Sequence, residues 1–501
     1  MGGRQTFLGI DLGSGGVKIT LVADDGRVLA SASRELVTSR PHPGWCEQAP
    51  DDWLVAMRAA ARQLTASVDV GGIAAIGFSG GTHIAVLIDE AGRVLRPAIL
   101  WSDQRSAREA AWLNERFEEQ ILRIGYQRAA ATWTLAQLLW ILRNEPEVAR
   151  RCRRVVFAKD WLRTQVTGGE YLTDRVDAIG SLMLDAAAER WSPELCGMIG
   201  WPPSTLPPIV PSRTVIGGVA EEAARELGLR AGTPVVAGAS DTAVEVLGAG
   251  ALDDGQGVLK LATAGCVMVV SDRPRVHPRL INYLHAMPGK WYVMATTNSC
   301  ASSHRWLRDL LFGRDPTQEA FSAMDELARS VPPGAEGLLF HPYLNGERSP
   351  YWDPLLRADF VGLTSRHDRA HLVRALYEGI AFSLRECLAD VTSQGLVLRE
   401  GRLIGGGSRS ALWRQIMADV TGMELLRPET CDASFGAALF AAVGVGAFAD
   451  EREVVRRCVR IASTSRPDPE RRAFYDRLFD IYKDTQARLA EINHRLHALT
   501  T

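Results

Sequence analysis

The chain is 501 residues long, room for about three average domains or two large ones. With 46% hydrophobic and 23% charged residues it is neither disordered, collagen-like nor a coiled coil. Its 57 basic and 59 acidic side chains leave a formal net charge of -2, which lacks the electrostatic footprint of a nucleic-acid-binding protein.

Residues 7–10 read as a first strand, broken by Asp11 and a glycine-rich turn, and residues 17–22 as a second. The tight Asp24-Asp25-Gly26 turn leads into a third at 27–32, so the chain opens as a β-meander. The spacing predicts a helix over 53–64 and strands over 73–78 and 84–88. Strand patterns recur at 233–236, 257–261, 266–270 and 291–295, which predicts a second sheet. Helical periodicity then covers 371–391 and 412–420, with a short strand at 402–404 between them. Residues 469–499 form a charged, amphipathic terminal helix expected on the surface, and Arg150, Arg151, Arg153 and Arg154 read as a solvated helix end.

Eight cysteines stand singly, without metal-ligand spacing, and read as reduced structural thiols. The apolar run before Asp11 is too short for a signal segment and no stretch reaches membrane-spanning length, so a cytoplasmic protein without membrane partners is expected. Met1 to Thr6 fit a loose N-myristoylation pattern, which a plain leader would match equally.

Two turns of small residues, Asp11 to Gly16 and Ala262 to Gly265, lie half a chain length apart between strands. Such turns let backbone N–H groups converge on an anion, although each also reads as an ordinary tight turn. There is no Gly-x-x-x-x-Gly-Lys-Ser/Thr loop and no dinucleotide Gly-x-Gly-x-x-Gly after the first strand. Gly77-Phe78-Ser79-Gly80-Gly81, with His83 nearby, fits a hydrolase nucleophile elbow in letters only. That motif needs a helix straight after the serine, where 84–88 reads as a strand.

Phe7 to Gly13 resembles the first phosphate motif of the FGGY family of sugar kinases, and further segments are most similar to its xylulokinase branch. Pro43 to Gln48 with Trp53, Arg96 to Arg105, Lys159 to Leu162, Thr173-Asp174 and Asp177-Ala178 stand in the family's order. So do Leu344 to Pro350, Gly362 to Gly379 and Gly405 to Ser410, the last with Trp413 and Asp419 as an adenosine motif. The resemblance implies an α/β protein of two actin-like, ribonuclease-H-like domains, 1–245 and 246–501, flanking a nucleotide cleft. The first would carry the sugar pocket, a phosphate turn and the catalytic base; the second, another phosphate turn, the adenosine site and the terminal helix.

It also implies ATP and Mg²⁺ as cofactors, with Asp241 taking the proton of the sugar hydroxyl and Asp11 and Asp241 holding the metal. Gly13, Ser14 and Gly15, with Thr263, Ala264 and Gly265, would bind phosphates, and Gly405, Gly406, Gly407 and Ser408 the adenosine. Lys18 either approaches the phosphates or flanks its strand. Without the resemblance, Asp241 and Ser408 would read as helix caps.

Gly81, Thr82, His83, Trp101, Asp103 and Arg105, together with Asp241, form the implied sugar site. Here the sequence departs from the branch, which carries Ser-Gly-Gln-Met-His-Gly where this chain has Ser79-Gly80-Gly81-Thr82-His83-Ile84. Loss of the glutamine amide and added bulk at Ile84 point to a changed or more apolar pocket. Trp101-Ser102-Asp103-Gln104-Arg105 replaces Trp-Asn-Asp-Gly-Arg, and Gln137 stands for a signature lysine. The expectation is an ATP-dependent kinase for a terminal hydroxyl of a pentulose, D-xylulose first, with another ketose, a polyol or a sugar acid as the alternative. A homodimer is a family-level expectation, and a catalytically silent sugar- or nucleotide-binding regulator is the reading from another class.

Overall fold

A computed structural model describes residues 5–313 and 318–499; residues 1–4, most of the candidate acylation segment, lie outside the described residues. The chain divides into two compact units. The first runs to Leu252 and also takes in Arg273–Trp291 and Thr430–Arg460; the second comprises Asp253–Asp272, Tyr292–Glu429 and the chain from Ile461.

The first unit is built on strands β1 (Thr6–Gly13), β2 (Gly16–Ala23), β3 (Val28–Glu35), β4 (Ile73–Gly80), β5 (Ala85–Ile88), β6 (Val215–Gly218) and β7 (Pro234–Ser240). Six of these form one sheet in the order β6-β7-β4-β1-β2-β3. The first three make the expected antiparallel meander, and β1 then pairs parallel with β4, which sets Asp11 opposite Ser79. Helix α1 (Pro50–Thr65) lays Trp53, Met57, Ala60, Ala61 and Leu64 into the same apolar core as Leu8, Ile10, Val17 and Ile19, as its helical spacing of apolar residues requires. The strand after Ser79, β5, removes the strand–turn–helix context of a nucleophile elbow. Helix α2 (Ala158–Thr167) also packs in this unit, and α3 (Asp241–Gly248) follows β7 without a loop.

The second unit contains strands β8 (Gln256–Leu261), β9 (Gly265–Ser271) and β10 (Trp291–Thr297), helix α4 (Arg369–Ser393), β11 (Glu400–Ile404), α5 (Ala411–Thr421) and β12 (Leu425–Pro428). The chain then forms α6 (Ala433–Gly444) inside the first unit and returns as β13 (Ile461–Ser465) and α7 (Pro469–Ala498). Within this unit the strands of its sheet run in the order β10-β9-β8-β11-β12-β13. Helix α7 is not simply a surface helix: it buries Tyr475, Phe479 and Tyr482, and the Tyr475 hydroxyl donates to Glu378 of α4 at 2.7 Å.

Helix α6 is the element on which the first unit closes. Its sequence, ASFGAALFAAVG, is small and apolar on every side, and it lies directly on β1 and β4. A Cβ added at Gly9 would fall 1.8 Å from the Ser434 carbonyl oxygen, and one at Gly77 2.2 Å from that of Ala437. Only glycine permits such backbone-to-backbone approach. None of the eight cysteines is in a disulfide, and most are buried. Among the described residues no helix is long and apolar enough to cross a membrane.

Candidate active site

Four carboxylates of the first unit converge where β1, α3 and α6 end or begin. Parallel pairing of β1 with β4 lets the Ser79 hydroxyl donate to Asp11 Oδ1 at 2.8 Å. Burial, and then the Asp241 charge, push the Asp11 carboxyl up to about 8; Glu245 and Asp432 add to the shift and Ser79 opposes it. Asp241 is the first residue of α3, one place beyond the cap position held by Ser240. Its Oδ1 accepts from the Thr242 amide at 2.6 Å and the Thr242 hydroxyl at 3.1 Å, so the carboxylate is oriented by its own helix start.

Asp432 caps α6, accepting from the Phe435 amide at 3.1 Å, and its other oxygen takes Lys18 Nζ at 3.0 Å. Burial works against its charge, yet Lys18 and the local hydrogen bonds hold its carboxyl below the usual range. Lys18 is thereby committed to an ion pair on β2, in keeping with a strand-flanking role. A set of oxygen donors in which one carboxyl is driven up by its neighbours suits a hard divalent cation, which would relieve that repulsion.

The expected sugar residues lie close by. The Gly81 amide donates to the Leu12 carbonyl at 3.0 Å, bringing the segment after β4 against the end of β1. His83 has φ 75°, a left-handed conformation costly for a side-chain-bearing residue. Its Nδ1 bonds the Gly180 carbonyl, its Nε2 meets the Tyr283 hydroxyl at 3.1 Å, and its ring stands edge-on to Trp133 with centroids 4.5 Å apart. Burial pushes the imidazole down to about 4, against the Gly180 bond, so it is neutral, donates from Nδ1 and accepts from Tyr283. With both nitrogens so used, His83 makes no base for Ser79, whose hydroxyl is held by Asp11.

Asp103 and Arg105 need correction as direct sugar ligands. Both Asp103 oxygens are saturated, by the Cys46 and Arg105 amides at 2.6 and 2.8 Å and by the Arg105 guanidinium at 2.8 and 2.9 Å. Arg105 also reaches Glu47 at 2.7 Å and lies over the Trp45 ring at 3.7 Å. The pair ties the Cys46 segment down; Trp101 beside it is 36% exposed and offers a ring face to solvent. Gln137 is buried, with its amide on the Thr132 carbonyl at 3.1 Å.

In the second unit, the turn of Thr263, Ala264 and Gly265 joins β8 to β9. The Thr263 carbonyl accepts the Cys300 and Ser302 amides, both at 3.2 Å, and Arg305 reaches the Thr263 hydroxyl at 3.1 Å. Gly405 and Gly407 are required by close packing on Leu261 and Trp413, whereas Gly406 faces open space. Ser410 caps α5, while the Ser408 hydroxyl turns back to the Gly405 carbonyl at 2.7 Å. Asp419 is consumed by Arg471 at 2.7 Å and the Asp468 amide at 2.8 Å, anchoring α7.

Residues 6–248 match the FGGY family of carbohydrate kinases, N-terminal domain, and residues 257–445 match its C-terminal domain. The chain belongs to the FGGY family. It is 36% identical over 421 residues to the xylulose kinase of Escherichia coli strain K12, covering 84% of this chain and 85% of that one. Among solved structures it is similar to a xyloylose kinase from Brucella ovis, with 34% identity, a TM-score of 0.88 and coverage of 97% and 100%. It is also similar to a gluconate kinase from Lactobacillus acidophilus, with 26% identity, a TM-score of 0.90 and coverage of 97% and 99%. As an FGGY kinase the protein has the two-domain actin-like fold and is a phosphotransferase with an alcohol acceptor, using a sugar, ATP and Mg²⁺.

Sequence reasoning missed Glu245, Asp432, Trp133 and Tyr283, and it gave Ser79 no role beside Asp11. Glu245 carried a signal, standing one helical turn beyond Asp241. The other three reach the site only through tertiary packing; Asp432 lies 414 positions from its partner Lys18.

Proposed function

We propose that this FGGY kinase transfers the γ-phosphate of ATP to a terminal hydroxyl of a pentulose, D-xylulose giving D-xylulose 5-phosphate. The observation that carries the reading is the placement of Asp241, a carboxylate oriented at a helix start and electrostatically coupled to Asp11. An alcohol attacks phosphorus poorly until a carboxylate accepts its proton, and Asp241 supplies that base. Asp11 and Asp241 are the oxygens that would hold Mg²⁺, which neutralises charge on the phosphates when bound. Ser79 fixes the Asp11 carboxylate, Gly81 and Thr82 orient the sugar, and His83, its ring nitrogens held by Gly180 and Tyr283, shapes the pocket wall beside them.

The Asp103–Arg105 pair supports the pocket wall from behind, and Trp101 covers it. Gly13, Ser14 and Gly15 bind phosphate oxygens through backbone amides, as do Thr263, Ala264 and Gly265; Gly406 makes room for the adenosine beside Ser408. In terms of domains, the reading assigns sugar, base and first phosphate turn to 1–245 and the rest to 246–501. The enzyme works in the cytoplasm, and a homodimer is its assembly.

The change at Gly81 and Thr82 favours one second reading, a sugar acid or polyol as acceptor, in line with the similarity to a gluconate kinase. ADP release with ATP and Mg²⁺ across ketoses, polyols and sugar acids separates the two. D-xylulose is expected to give the highest kcat/KM; a better sugar acid would move the assignment within the family. ATP binding without turnover on any acceptor would support a regulator.

A further inference from the structure

A buried charge cluster behind the candidate base has no part in the mechanism above. Helix α2 carries Lys159, Asp160 and Arg163, all fully buried. Lys159 is one of only five lysines in the chain. Its Nζ lies 2.5 Å from Asp160, 2.9 Å from Asp174 and 3.8 Å from Asp177. These three carboxylates gather within 4.8 Å of one another, a spacing a metal ion could use, but the cation among them is the ammonium of Lys159. Burying so much charge is costly, and such clusters persist where their geometry is needed.

The cluster grips one point of the backbone. Lys159 Nζ donates to the Ala237 carbonyl at 3.3 Å and Arg163 Nη1 to the same oxygen at 2.6 Å. Ala237 and Gly238 form a bulge in β7, where the register against β4 shifts between Val236 and Ala239. Gly238 has φ +87°, and a Cβ there would fall 2.0 Å from the Phe78 carbonyl oxygen. From the other side, Ser212 accepts the Gly238 amide at 2.9 Å and donates its hydroxyl to Asp174 at 2.9 Å. Three residues beyond Gly238 stands Asp241. Bulges of this kind re-aim a side chain beside an active site.

We propose that Lys159 and Arg163, set by Asp160 and Asp174, are positioning residues: they clamp the Ala237 carbonyl so that the bulge directs Asp241 at the acceptor hydroxyl. This rests on Asp241 being the base. A neutral side chain at 159 frees the carbonyl, and a displacement of about 1 Å at the reacting centre costs on the order of 100-fold.

The test is a double-mutant cycle between Lys159→Met and Asp241→Asn, followed by kcat, KM for ATP and thermal unfolding. In the wild-type background Lys159→Met is expected to lower kcat on the order of 10- to 100-fold, with KM for ATP within about twofold and cooperative unfolding retained. In the Asp241→Asn background the same substitution should change the residual rate less than about threefold, because the group it positions is gone. A folded Lys159→Met with near wild-type kcat, or an equal loss in both backgrounds, would overturn the clamp. Full turnover by Asp241→Asn alone would remove the base, a failure visible without any change at Lys159, and the clamp's purpose with it. Should Lys159→Met not fold, the charge-balanced Lys159→Met/Asp177→Asn and the cation-retaining Arg163→Lys carry the same comparison, the latter predicted to recover most of the kcat lost by Arg163→Gln.

Discussion

Asp241 is defined by neighbours that orient and repel it. Thr242 fixes one carboxylate oxygen, and Asp11 lies near enough for the two charges to oppose each other. Replacing Asp241 by asparagine keeps the shape and removes the proton acceptor. A general base contributes about 10²- to 10⁴-fold, so Asp241→Asn is predicted to lower kcat by about 10³-fold with ATP affinity kept, read by ADP release beside nucleotide titration. His83 gives a prediction in pH. Its folded imidazole titrates at about 4, below the 6.5 of an exposed histidine, so between these values the unfolded chain binds a proton that the folded chain refuses. Its contribution is fully present above 6.5 and is lost as pH falls toward 4, at up to about 1.4 kcal/mol per pH unit. Urea unfolding of wild type and His83→Gln should therefore converge between pH 6.5 and 4.5; parallel curves would show that His83 is not held neutral. For Arg105→Ala the expected loss is about 3–5 kcal/mol, because Asp103 loses its buried counter-charge, while Glu47 keeps Arg96.

At the scale of elements, what the sequence shows plainly is periodicity. The alternation at 7–10 and 17–22 and the helical spacing at 53–64 and 371–391 are local signals, and they became β1, β2, α1 and α4. Helix α6 gives no such signal, since a segment buried on all sides has no polar face. Helix α2 is no more legible: nothing in the spacing of Lys159, Asp160 and Arg163 shows that all three are fully buried. The candidate site was legible only as single residues that the resemblance names, such as Asp11, His83 and Asp241. It was illegible where function depends on what a residue touches, as with Asp103, whose carboxylate is already saturated. The packing of α6 on β1 yields a sharp test. Gly9→Ala drives a methyl group into the Ser434 carbonyl and should cost about 3 kcal/mol or more, measured as a drop in unfolding midpoint; an unchanged midpoint would mean that α6 does not sit on β1 so closely.

The whole chain is interleaved. The first unit is completed only by 273–291, which brings Tyr283 to His83, and by 430–460, which brings α6 to β1 and β4. A fragment ending at Leu252 lacks both, so it should show no cooperative thermal unfolding, whereas the full chain should. These pieces matter together because they bring Asp432 near Asp11 and Tyr283 to His83 in a kinase. The most direct test is ³¹P NMR of the purified protein with ATP, Mg²⁺ and D-xylulose. A new phosphomonoester resonance growing in step with ADP, and absent with Asp241→Asn, is the predicted result; inorganic phosphate alone, or no ADP beyond a sugar-free control, would contradict it.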